Sequence, residues 1–176
     1  MMRANRNAEA LKFAASWADA HPKDLVFLAY LAELASKLDD SVLAEKYYLQ
    51  MLKRQPENPL ALNNLAGLLI NQKRAGAVAL AQRALKAAPN QVGVMDTLAM
   101  AYSIEKQHVK AVELQMKVLA RSPDVPLFHL TMAKIYLKAG DKALAKAELE
   151  GLANQKKDFP GRAEVAPLLK DLAGAR

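Results

Sequence analysis

Few side chains in this 176-residue chain could carry chemistry at neutral pH, and they stand apart from one another. The three histidines, His21, His108 and His129, are far apart and form no i,i+4 pair. A metal site needs several ligands converging on one ion, so no metal centre is expected. The five serines, Ser16, Ser36, Ser41, Ser103 and Ser122, lack the adjacent base and oxyanion donors that activate a hydroxyl. Ser41 and Ser122 fit cap and turn positions better. The glycines stand singly, so no glycine-rich loop can cradle a phosphate, and no cofactor is expected. The absence of cysteine excludes disulfides, thiolate zinc sites and a cysteine nucleophile. Glu148 and Glu150, or Glu45 with Lys46, read as solvated helix faces. These residue types predict a chain that is not an enzyme.

The elements that would position the remaining polar residues follow from a repeat. Four pairs of a large apolar residue followed by alanine, Leu31-Ala32, Leu65-Ala66, Leu98-Ala99 and Met132-Ala133, are spaced 34, 33 and 34 residues apart. Ala44, Ala77, Ala111 and Ala145 follow them in phase, and Pro56, Pro89 and Pro123 close the first three units. A period of this length predicts two helices per unit, each unit stacking on its neighbours to bury an apolar face. The one-residue deficit falls at the interhelix turn around Lys73–Gly76. Met51, Met95 and Met132 lie on interhelix packing slots and are expected in the core.

Composition agrees. The chain is 52% hydrophobic and only 6% aromatic, and its prevalent alanine and leucine favour helices. Disordered and β-sandwich readings fit poorly. The net charge is +7, but the longest basic runs are pairs such as Lys53-Arg54 and Lys156-Lys157. Nucleic-acid binding is therefore not favoured, because it wants a concentrated stripe with base-reading or stacking residues. No stretch reaches the ~18 apolar residues of a membrane span. The N-terminal MMRANRNAEALKFAASWADAHP carries Glu9, Lys12 and Asp19 through its apolar run, so it reads as an amphipathic helix and not as a signal peptide. A cytoplasmic address is the default.

The phased residues resemble the tetratricopeptide repeat, W-x2-L-G-x2-Y…A-x3-F…P. The third unit supplies Met95, Leu98, Ala99, Tyr102, Ala111, Gln115, Val118 and Pro123. The fourth supplies His129, Met132, Ala133, Tyr136, Gly140, Ala145, Leu149 and Leu152. The Trp slot is never Trp, so each motif is weak and their common phase is the signal. The resemblance implies an all-α, right-handed α-solenoid. Its expected parts are an orphan second helix at 7–21, repeats at 25–58, 59–91, 92–125 and 126–159, and a capping helix at 161–172. The orphan helix leaves an apolar N-terminal face open, where a second copy could associate. The runs LALNNLAGLL, VMDTLAMAY, KIYLKAGDKALAKAELE and FPGRAEVAPLLKDL also resemble the C-terminal end of the PEP-CTERM system tetratricopeptide proteins. Those are long, lipid-anchored repeat proteins of Gram-negative bacteria tied to exosortase sorting and exopolysaccharide production. That likeness implies the tail of a longer array and a place in the cell envelope. Gly67 stands where that family carries Trp, and no lipid-anchoring signal is present.

In the wider family the first helix of each unit lines a concave groove. Carried onto this chain, the groove residues are Glu33 and Lys37; Asn63, Gly67 and Asn71; Asp96, Met100 and Ser103; and Leu127, Leu130, Lys134 and Lys138. Asn63 and Asn71 could bond a peptide backbone. Lys134 and Lys138, one turn apart, could meet a carboxylate. Of the family's carboxylate clamp for chaperone tails, only Asn64 matches; Ala29, Glu33, Gly93 and Thr97 do not, which disfavours that ligand. The implied function is non-catalytic binding of a protein or peptide segment. The competing readings are self-association and electrostatic binding of an anionic polymer.

Overall fold

The computed structural model describes residues 14, 16, 17, 20, 21 and 24–174. Among these are nine helices: α1 (Leu25–Lys37), α2 (Ser41–Arg54), α3 (Pro59–Asn71), α4 (Ala77–Ala87), α5 (Val92–Ile104), α6 (His108–Arg121), α7 (Pro126–Ala139), α8 (Lys142–Ala153) and α9 (Arg162–Gly174). No strand occurs among the described residues. Most of the expected orphan helix at 7–21 lies outside them; Ala14 packs against the first core cluster.

Every anchor of the repeat is buried. Leu31, Leu65, Leu98 and Met132, their alanine partners, and the phased Ala44, Ala77, Ala111 and Ala145 are all at most 4% exposed. Alanine at these crossings lets the two helix axes approach, and the large residue beside it fills the space left over. Met51, Met95 and Met132 are buried as expected. No single core forms; small apolar clusters run from one pair of helices to the next.

The turns repeat as faithfully as the core. Asp39, Lys73, Lys106 and Gly140 have φ of 58°, 55°, 61° and 90°. Each ends the first helix of its pair in the left-handed conformation. The residue that follows donates its N–H back across the turn: Asp40 to Ala35, Arg74 to Leu69, Gln107 to Tyr102 and Asp141 to Tyr136, at 2.8–2.9 Å. This satisfies carbonyls at the helix end that would otherwise be orphaned. Only Gly140 adopts that φ without a Cβ penalty. From Lys73 the chain reaches Ala77 one residue sooner than its counterparts do. It does so through Gly76 at φ 97°, and α4 is correspondingly short, with 11 residues against 14 in α2 and α6. Asp24, Asp40 and Asn58 accept from the N–H groups of Phe27, Leu43 and Ala61 at 3.0 Å, capping α1, α2 and α3. The cap of α2 is thus Asp40; Ser41 is its first helical residue.

Each helix packs on the next in sequence, and α5 also touches α3 on one side and α7 on the other. The second helices of the pairs, α2, α4, α6 and α8, make at most marginal contact among themselves. The helices therefore fan out, with α1, α3, α5 and α7 forming an inner layer and their partners an outer one. No described helix is long and apolar enough to cross a membrane.

Candidate functional site

The inner layer carries the residues that the repeat phase assigns to a groove. On α1, Glu33 and Lys37 are exposed and paired with each other at 2.7 Å, one turn apart. Hydrogen bonding and the Glu33 charge hold the Lys37 ammonium above its ordinary pKa. On α3, Asn63 Nδ2 donates to Asn64 Oδ1 at 3.2 Å, and Asn64 Nδ2 donates to the Tyr48 hydroxyl at 3.1 Å. The Asn63 Oδ1 atom is buried and accepts nothing from the protein. Gly67 is half-buried, and a Cβ there would meet nothing within 4 Å. Asn71 is exposed at the end of the helix. The helix contains no charged residue.

Asp96, on α5, sits in a polar knot between the layers. Its Oδ1 accepts from Gln115 Nε2 at 2.7 Å, and its Oδ2 accepts from the Thr131 hydroxyl at 3.3 Å. Gln115 comes from α6, is 0% exposed, and also donates to the Phe128 carbonyl at 2.8 Å. Burial pushes the Asp96 carboxyl up to about 6, against the pull of the two hydrogen bonds and of the Lys134 charge. Lys134 itself meets Glu164 of α9 at 2.7 Å. Lys138 and Leu127 are exposed and Met100 is half-buried.

Two expected groove residues are not on the surface. Leu130 is 1% exposed, because Phe159, in the segment leading into α9, and Val165 of α9 pack into the same cluster with it. Ser103 is also 1% exposed, because α5 is enclosed by α3, α4, α6 and α7. Two carboxylates read as solvated are engaged. Glu45 binds Arg74 at 2.6 and 3.0 Å. Glu148 receives the His129 ring at 2.8 Å. His129 also reaches the Pro123 carbonyl at 2.7 Å, so it ties three segments together and does more than pack. The sequence singled out neither Thr131 nor Glu164, and it placed Gln115 in the repeat without its role beside Asp96. Of these only Gln115 left a signal, as a polar residue in the slot held by Tyr48, Ala81 and Leu149 in the other units. No group of three or more acidic or histidine side chains that could hold a metal occurs among the described residues.

Residues 102–172 match the family model of the tetratricopeptide repeat. No curated protein sequence matches the chain significantly. Among solved structures, the chain is similar to a tetratricopeptide repeat protein from Parabacteroides merdae, at 20% identity and a TM-score of 0.77, covering 98% of this chain and 70% of that one. It is also similar to a thermophilic tetratricopeptide protein of Thermus thermophilus, at 20% identity and a TM-score of 0.73, covering 96% and 93%. A third likeness is to YrrB, a tetratricopeptide protein with an unusual peptide-binding site, at 13% identity and a TM-score of 0.61, covering 92% and 82%. The chain is an α-solenoid of the tetratricopeptide fold, with the family's repeat recognisable in sequence across residues 102–172.

Proposed function

We propose that the inner face binds an extended segment or helix of another protein, without catalysis. The observation that carries this is on α3. Asn63 is half-buried and its amide oxygen has no donor in the protein, so turning the side chain outward would offer that oxygen to a ligand N–H without breaking a bond to it. Gly67, one turn further along, leaves the space beside it open for a backbone to approach. Asn71 extends the same polar, uncharged strip. Among the described residues of the inner helices, most charges are already paired internally, and Lys138 is an exposed cation that can meet an acidic side chain of the ligand. The peptide-binding site of YrrB is consistent with such a use of the fold. The finer reading follows the likeness to PEP-CTERM system proteins: a scaffold segment of a bacterial envelope system for protein sorting or exopolysaccharide assembly.

Gly67→Arg is the direct test. It fills open space on a helix, so folding should be unchanged by circular dichroism. Peptides enriched from a display library on the wild-type chain should lose at least about tenfold in affinity for the variant. Capture of the same peptides at wild-type strength would remove the inner-face reading.

A further inference from the structure

The outer layer carries a second, independent surface. The outer helices α2, α4, α6 and α8 hold ten Lys and Arg against four Asp and Glu, whereas the inner helices α1, α3, α5 and α7 hold three against two. The positive surplus of the chain is therefore concentrated on the outside. Between α2 and α4 this face opens into a cleft of about 760 Å³. Its floor is apolar, formed by Leu49, Leu52, Leu65 and Leu80, with Val42 at its edge and 78% exposed. Ala75 and Gly76, just before the short, alanine-rich α4, and Ala79 within it are exposed and small.

Ion pairs between segments brace the cleft. Arg74, just before α4, holds Glu45 of α2. Arg83 of α4 binds Glu57 at 2.8 Å and the Pro56 carbonyl at 2.7 Å, just beyond α2. These contacts tie the two sides together and consume Glu45, the one acidic side chain lining the cleft. Lys46 and Lys53 remain on the rim, exposed and seven residues apart on α2. Seven residues are two helical turns, about 10.5 Å, so both ammonium groups lie along the same edge.

We infer that this outer cleft docks an amphipathic helix of a partner protein, with an apolar stripe on the floor and carboxylates about two turns apart beside Lys46 and Lys53. An apolar floor with a cationic rim complements such a helix on both counts. A bare polyanion would leave the floor uncovered. A second copy of this chain, at net +7, would bring like charge to the rim.

The test uses the full chain and a helical peptide of about 18 residues, with leucines at i, i+3, i+4 and i+7 and glutamates flanking them. Two controls of the same length replace the glutamates by lysines, or the whole sequence by poly-glutamate. The glutamate peptide should bind and the lysine peptide should not. Leu49→Gln, at a site already 44% exposed, and the double variant Lys46→Glu with Lys53→Glu should each weaken binding about tenfold. Gly67→Arg on the inner face should leave it unchanged. Poly-glutamate binding equally well, or insensitivity to Leu49→Gln, would overturn the cleft in favour of a generic anion surface. Loss of binding in Gly67→Arg would move the peptide to the inner face. Concentration-dependent dimerisation abolished by Leu49→Gln would assign the cleft to a second copy instead.

Discussion

The inner and outer layers grow from one repeat, yet they carry very different balances of charge. On the inner face Glu33 is held by Lys37, Lys134 by Glu164, and Asp96 is sunk between Gln115 and Thr131. On the outer face Lys46, Lys53 and Lys117 stand exposed in a layer with a large cationic surplus. The apolar positions dictate how the helices stack, and they are the same in every unit. The polar positions are under no such constraint. The inner layer pairs most of its few charges, whereas the outer layer pairs Glu45, Arg83 and Glu148 and still leaves a surplus of lysines in solvent. The difference matches the two proposals made above: a backbone or weakly charged segment for the inner face, an acidic helix for the outer cleft. It also directs attention to the side chains that join the layers.

The strongest of these joints is apolar. Ala111 of α6 is 0% exposed and meets Ala99 of α5 and Ile135 of α7. Ala111→Trp forces a large ring into a crossing that has room only for a methyl group. It should destabilise the chain by about 3 kcal/mol through overpacking. Urea denaturation followed by circular dichroism measures this. An unchanged midpoint would mean that the layers do not meet at the phased alanine.

Asp96 is the polar joint, and its expected effect is the next in size. Burial raises its carboxyl from near 4 to about 6 in the folded chain. The native state therefore holds a proton over that interval which the unfolded chain has released. The associated stability is fully present below pH ~4, is lost as the pH rises to about 6, and changes no further above that. Ionisation at neutral pH thus costs on the order of 2–3 kcal/mol. In Asp96→Asn the amide oxygen still accepts from Gln115, and the new NH2 can donate to the Thr131 hydroxyl. The variant should gain about 2 kcal/mol at pH 7 and lose the decline between pH 4 and 6. Equal stability of the two proteins at pH 7 would show that the carboxylate is not under strain between the layers.

The apolar joint was legible in the sequence and the polar one was not, for a physical reason. A buried alanine or leucine must recur wherever the same crossing recurs, so periodicity reveals it. Phase also gives the direction in which a side chain leaves its helix, but not what lies over it. Leu130 points as a groove residue should, yet Phe159, just before the last helix, and Val165 within it cover it. The pair Lys134–Glu164 joins positions 30 apart, and Arg74–Glu45 joins positions 29 apart; no repeat spacing encodes either contact. The left-handed turns were hidden for another reason. Asp39, Lys73 and Lys106 are ordinary residues, and only Gly140 announces the conformation. The function of the inner face rested on family likeness throughout, because no spacing in the chain names a ligand.

The smallest effect belongs to His129, a second polar joint, which links inner α7 to outer α8. Both ring nitrogens face acceptors, the Pro123 carbonyl and the Glu148 carboxylate. Burial by itself would lower the pKa of the ring, but the Pro123 hydrogen bond and the Glu148 carboxylate outweigh it and the pKa rises. Only the imidazolium can donate to both partners at once; a neutral ring must turn one contact into a repulsion between acceptors. The linkage therefore has a definite sign. The stabilisation is fully present below the unfolded value near 6.5 and is lost as the pH rises through the higher folded value. With the ring partly exposed, its size should be about 0.5–1 kcal/mol. His129→Gln should be less stable than the wild type by that amount at pH 6, and the gap should narrow by pH 8.5. The narrowing lies above the Asp96 window, so the two joints separate on one pH axis. A gap that stayed constant across this range would mean that the histidine joins the layers by packing alone.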